Sequence, residues 1–222
     1  DLDIYGISDV VANELDLRAT PTPRLTIDGK QTSLDLGTIK LYDAKPGRSV
    51  LEKTSKHEGR WHDFTKHFGE PAPAWHAIDA RGFPASTNVK DFREKWLMIY
   101  FWGLGCVPCL SDGMPRMLDF YEKHKQNRDR FEVVGICIDI EGEIETLREI
   151  DDSLEPIIKN VWGDRRVEFP VVLDNTFRSW ERFGIPGLGT VVLVDPEGNL
   201  FEGDETTLDR ILLESSDPEP HE

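Results

Sequence analysis

The sequence predicts an α/β fold: a central mixed β-sheet flanked by helices, with an irregular β-containing extension at the N-terminus. Three observations carry this prediction. From about residue 95, short apolar runs alternate with stretches of helical periodicity, the pattern of strands joined by helices. Leu97 to Trp102 is an unbroken apolar run, as expected of a central strand covered on both faces. Near the C-terminus, Pro196-Glu197-Gly198-Asn199 forms a tight-turn sequence that returns Leu200 and Phe201 as an antiparallel partner.

The elements follow in order. After the Leu97–Trp102 strand, Met114, Met117, Leu118 and Tyr121 recur at helical spacing. Phe131 to Asp139 reads as the next strand, and Ile144, Leu147, Ile150 and Leu154 mark a second amphipathic helix. Phe169 to Leu173 is a short strand, followed by a helix around Phe177 and Trp180. Thr190 to Val194 is the strand before the turn. A last helix carries Leu208, Ile211 and Leu212, with Thr206 or Thr207 as its expected N-cap. Residues 215–222 (SSDPEPHE) have the composition of a disordered tail.

Residues 1–68 differ in character and read as a separate extension. They mix turn formers with short alternating runs at Arg24–Ile27 and Thr38–Leu41, and Ser8 to Leu15 allows a short helix. The proline-rich Gly69–Trp75 (GEPAPAW) then leads into a main domain spanning 69–214. No internal repeat is present.

Bulk composition narrows the functional classes. A hydrophobic content of 38%, with six Trp and eleven Phe in 222 residues, suffices for a substantial core. A formal charge of −16 argues against a nucleic-acid surface, which requires clustered Lys and Arg. The acidic residues are spread along the chain, as on a solvated surface. No apolar run approaches the roughly 18–20 residues of a membrane span. The first residues carry neither the basic nor the apolar part of a secretion signal, so they state no address. Three cysteines are too few for a disulfide-stapled scaffold.

Cys106 and Cys109 form a C-x-x-C pair directly after the central strand. Such a pair can be a redox couple, half of a metal site, or two small core residues. A structural zinc site needs four ligands, but only Cys137 remains, mid-strand between Ile136 and Ile138. His62, His67 and His76 lie in a loop-like region without a second thiol and read as structural or surface residues. The redox reading has more physical support. Cys106 would stand at a helix N-terminus, where unpaired backbone N–H groups and the dipole favour a thiolate. Cys109 would lie one turn deeper, in reach to resolve a mixed disulfide. Pro108 suits the first helical turn, where its missing N–H costs little.

Taken together, these segments resemble the thioredoxin superfamily, specifically the TlpA-like and ResA-like bacterial thiol–disulfide oxidoreductases. GEPAPAWHAIDARGFPAS is similar to that branch's opening, and KDFREKWLMIYFW to its lead-in. C-V-P-C matches its C-x-P-C. EVVGICID, FPVVLD and WERFGIPGLGTVVLVDPEGNL resemble its later strands and closing segment. The likeness spans roughly residues 69–213. It implies a thioredoxin fold, disulfide exchange with protein thiols and a redox partner protein, and no cofactor beyond a Cys106–Cys109 disulfide. It also implies an extracytoplasmic, periplasmic setting, with room for a membrane tether upstream.

Three positions depart from the family pattern. Gly105 stands where a tryptophan usually precedes the first cysteine. Gly189, between Leu188 and Thr190, stands where the family has a cis-proline facing the dithiol. An acidic residue is expected soon after the second cysteine, two before a proline. Asp112 fills that role, but Pro115 comes one residue late, and Gly113 suggests a distorted turn. By resemblance, Cys106 attacks, Cys109 resolves and Asp112 shuttles a proton, while Gly105, Pro108, Leu188, Gly189 and Thr190 shape the substrate contact. Two other readings remain open at this point. One is a binding or scaffold module that kept the fold; the other is a peroxiredoxin-like peroxidase, since GEPAPAW also occurs in that setting.

Overall fold

The computed structural model describes residues 63–140 and 142–214, together with the backbone of residues 17–19 and 41–43. The chain divides into two compact units, Asp1–Lys56 and His57–Glu222. In the first, β1 (Leu17–Ala19) pairs antiparallel with β2 (Leu41–Asp43), Arg18 lying opposite Tyr42. The helix expected near Ser8–Leu15, the run Arg24–Ile27, residues 38–40 and the 215–222 tail lie outside the described residues.

The second unit is built on a mixed six-stranded sheet in the order β3-β6-β5-β4-β7-β8. Its strands are β3 (Asp79–Arg81), β4 (Trp96–Trp102), β5 (Phe131–Ile138), β6 (Val171–Asp174), β7 (Val191–Val194) and β8 (Leu200–Phe201). β4, β5 and β6 run parallel to one another, while β3, β7 and β8 pair antiparallel. This is a thioredoxin fold.

Period-2 alternation along β4 sends its side chains into two cores. Met98, Tyr100 and Trp102 face one side. There they pack with Met114, Met117 and Leu118 of α1 (Met114–Lys123), Ile150 and Leu154 of α2 (Leu147–Asn160), and Leu208 and Leu212 of α4 (Glu205–Glu214). Leu97, Ile99 and Phe101 face the other. Their neighbours are Phe64, Trp75, Ile185 and Phe183, the last residue of α3 (Arg178–Phe183).

The boundaries differ from the sequence expectation where backbone chemistry intervenes. β6 begins at Val171, not Phe169: Pro170 has no N–H for the ladder, and only its carbonyl is used, by Gly135 N–H at 2.9 Å. β5 ends at Ile138, because Asp139 turns its carboxylate to the Ile144 N–H at 2.7 Å. α2 then starts at Leu147 behind a capping box formed by Thr146 and Glu149.

At α4 the expected threonine caps are replaced by Asp204. Its carboxylate accepts from the N–H groups of Thr206 (3.0 Å) and Thr207 (3.1 Å), while its carbonyl accepts from Leu208. A carboxylate one residue before the helix reaches these donors and complements the dipole. Accordingly, Asp204→Ala should cost about 1 kcal/mol in urea unfolding, and Thr206→Ala less than about 0.5 kcal/mol. Equal losses in the two variants would return the cap to the threonines.

Candidate dithiol site

β4 ends at Trp102 and the chain turns sharply over the end of β5. A Cβ on Gly103 would sit 2.6 Å from the Ile138 carbonyl oxygen, so this crossing requires glycine. Cys106 N–H donates to Gly103 O at 3.1 Å, closing the turn, and the chain is helical from residue 107. Cys106 therefore caps the N-terminus of the long helix that ends in α1.

Cys106 and Cys109 form a disulfide, with Cα atoms 5.2 Å apart. The two sulfurs are inequivalent. Cys106 is half-buried, whereas Cys109 is 1% exposed within the core under the sheet. Cys109 N–H lies 3.3 Å from Cys106 Sγ and donates to it, the contact expected to stabilise a Cys106 thiolate after reduction. Around Cys106 the surface is open: Gly105, Val107 and Pro108 are exposed, Val107 by 61%. No atom lies within 4 Å of where a Gly105 side chain would begin.

The helix is not regular where it leaves the site. Residues Cys109–Gly113 form a π-turn, in which Met114 N–H donates to the Cys109 carbonyl five residues back. A π-turn absorbs one extra residue, which accounts for Pro115 arriving one position late. Asp112 sits on this turn with its side chain 74% exposed, paired with Arg116 at 3.1 Å. Arg116 also pairs with Glu205 at the start of α4.

Opposite the dithiol, the segment before β7 takes an unexpected form. Gly189 N–H donates to Phe101 O at 2.7 Å and Phe101 N–H to Thr190 O at 2.9 Å, so one residue of β4 faces two. With Gly189 at φ +94°, this is a G1-type β-bulge. It delays the start of β7 to Val191. A Cβ at Gly189 would stand 3.8 Å from Cys109 Sγ, so this backbone does face the dithiol. Thr190 Oγ1 donates to Gly187 O at 2.7 Å and fixes the loop, while Leu188 packs against both cores. All peptide bonds among the described residues are trans.

Cys137 is a free, fully buried thiol on β5, in register with Trp102. Burial first, and the neighbouring Asp139 charge second, push its pKa up, so it stays protonated and unreactive. His67 pairs with Glu70 at 3.0 Å, and His76 lies 3.7 Å from the buried Asp174 carboxylate; His62 is outside the described residues. Among the described residues, no three His, Cys, Asp or Glu side chains converge as a metal site.

The sequence reading missed Tyr100. Its hydroxyl, buried in the core, donates to the Cys109 carbonyl at 3.3 Å. Burial is the main reason its pKa is pushed up to about 12, so it remains a donor. The available signal was a lone hydroxyl inside an otherwise apolar strand.

A mixed sheet whose central parallel strand runs into a disulfide-capped helix defines a thioredoxin-fold dithiol protein. A family model described as thioredoxin-like (Thioredoxin_8) matches residues 94–200, so this stretch is a thioredoxin-like domain. The chain is 28% identical over 143 residues to the thiol-disulfide oxidoreductase ResA of Bacillus thuringiensis subsp. konkukian, covering 63% of this chain and 72% of the relative. It is 26% identical over 134 residues to ResA of Bacillus subtilis, covering 60% and 66%. A solved structure from Chlorobium tepidum, described as a thiol:disulfide interchange protein DsbE, superposes with a TM-score of 0.50 at 21% identity, covering 67% of this chain and 96% of the other.

The bulge makes a direct prediction. Gly189→Ala meets only ordinary contact at Cys109 Sγ; its cost is left-handed strain, about 1–2 kcal/mol. Gly189→Pro should cost more, because proline can neither adopt positive φ nor donate to Phe101. Urea unfolding of the oxidised protein measures both, and a proline variant as stable as the parent would refute the bulge.

Proposed function

We propose that this chain is a thiol–disulfide oxidoreductase acting on protein substrates, with Cys106 as nucleophile and Cys109 as resolving thiol. The observation that carries the proposal is the asymmetry of the pair: a half-buried cysteine beside an exposed surface at a helix N-terminus, joined to a fully buried one a turn deeper. The ResA relatives, named thiol-disulfide oxidoreductases, support the same activity.

In the reducing direction, the Cys106 thiolate attacks one sulfur of a substrate disulfide. This forms a mixed disulfide and releases the other substrate sulfur as thiolate. Cys109, deprotonated, then attacks Cys106 Sγ, closing the Cys106–Cys109 disulfide and expelling the second substrate thiolate. Two electrons pass from the dithiol to the substrate, and a redox partner protein restores the dithiol. In the opposite direction each step reverses. Asp112 is assigned the proton of Cys109; its side chain is exposed and paired with Arg116. Gly105 and Val107 leave the approach to Cys106 open, and Pro108, Leu188, Gly189 and Thr190 form the rest of the contact surface. The reaction uses no cofactor. Its setting is extracytoplasmic, with a membrane tether supplied outside the described residues, as the ResA likeness suggests.

Single-serine variants test this assignment. Cys106→Ser should abolish reduction of insulin disulfides. Cys109→Ser should accumulate a mixed disulfide with substrate, visible on non-reducing gels. Parent activity equal to that of Cys106→Ser would leave a binding module in its place. A pair that never forms a reversible disulfide in glutathione buffers would remove the redox assignment altogether.

A further inference from the structure

The π-turn at Cys109–Gly113 has a specific cause in the strand beneath it. Tyr100 lies in the middle of β4, fully buried, in register with Gly135 of β5 and Val191 of β7. Its phenol points up at the helix, and Gly113 is what lets it in: a Cβ on Gly113 would overlap the Tyr100 hydroxyl oxygen and approach Cζ to 2.9 Å. Gly113 itself has φ −61°, a conformation any residue adopts, so the demand for glycine there is purely for space. Within this notch the hydroxyl reaches the Cys109 carbonyl at 3.3 Å. That carbonyl also accepts from Met114 N–H across the widened turn.

We propose that Tyr100 is a positioning residue for the resolving cysteine: its hydroxyl, seated in the Gly113 notch, holds the Cys109 carbonyl in the π-turn and so sets how readily Cys109 closes the disulfide. The inference rests on the dithiol reading above. The affected step is resolution. The Cys109 thiolate, its proton already given up, bonds to Cys106 Sγ; the bond from Cys106 to the substrate sulfur breaks, and its electron pair leaves with the substrate thiolate. Fixing the peptide of Cys109 fixes the direction of its Cα–Cβ bond, and with it the supply of correctly aimed thiolate. The hydroxyl's hydrogen bond is to the Cys109 carbonyl, so its loss acts on resolution and not on the first attack by Cys106.

Tyr100→Phe keeps the ring and removes only the hydroxyl. Thiol trapping in glutathione buffers should show the closure constant of the couple lowered by about two- to ten-fold, the range of one net hydrogen bond. The upper value corresponds to about 30 mV. Resolution of a preformed mixed disulfide should slow by a similar factor, while the pH profile of Cys106 alkylation stays that of the parent. Gly113→Ala, which expels the hydroxyl from its notch, should act in the same direction, and the double variant should be no worse than the worse single one. Ile99→Val, on the opposite face of β4 in the other core, serves as the stability control and should leave the closure constant unchanged. A Tyr100→Phe protein with the parent's closure constant and resolution rate would overturn the proposal, as would an equal shift in Ile99→Val. A parent protein that does not cycle at all would overturn this proposal together with the redox assignment, an outcome read before any variant is made.

Discussion

Burial of β4 on both faces is the constraint on which the rest of the structure depends. Its six side chains from Leu97 to Trp102 are each at most 1% exposed and divide between two cores. At about 1.5–3 kcal/mol for each large apolar side chain, they contribute on the order of 10 kcal/mol. That is comparable to the whole net stability of a typical domain. The strand cannot shift by one residue without exchanging the contents of both cores. Its C-terminal end is therefore a fixed point, and the disulfide is launched from it through a turn so tight that only glycine fits at 103.

Both departures beside the dithiol involve glycine, but their physics differ. Gly105 leaves open space, and its effect is to expose the surface around Cys106. Gly189 is structural: the G1 bulge needs its positive φ and uses its N–H against Phe101. A proline and this bulge are mutually exclusive solutions for the same segment, since proline lacks both properties. The sheet thus keeps a backbone wall against Cys109 by adding a residue to the β4–β7 ladder, with trans peptide bonds throughout.

The same arithmetic of one extra residue appears on the helix side. A one-residue offset between Asp112 and Pro115 looks in the sequence like a weakened match. In the structure it is taken up by the π-turn, which shifts one hydrogen-bond acceptor, Cys109, and no element of the fold. Both irregularities adjoin Cys109, the buried partner, and leave the cap at Cys106 regular.

From β4 onward the strands and helices were legible through apolar runs and periods, such as Leu97–Trp102 in β4 and buried Leu147, Ile150, Leu154 and Ile158 in α2, whereas β3 (Asp79–Arg81), without an apolar run, was not. The Cys106–Cys109 pair was legible because strand, turn and helix surround it in order. The α4 cap was misread, since Thr206, Thr207 and Asp204 all favour that position and only the backbone path decides which oxygen reaches the free N–H groups. What the sequence determined by itself was the alternation of elements, the identity of the dithiol and the side chains available to cover it. What only the tertiary structure decided was the bulge at Gly189, the π-turn and the contact of Tyr100 with Cys109. These depend on how residues far apart in the chain meet across β4, and local periodicity carries no record of such meetings.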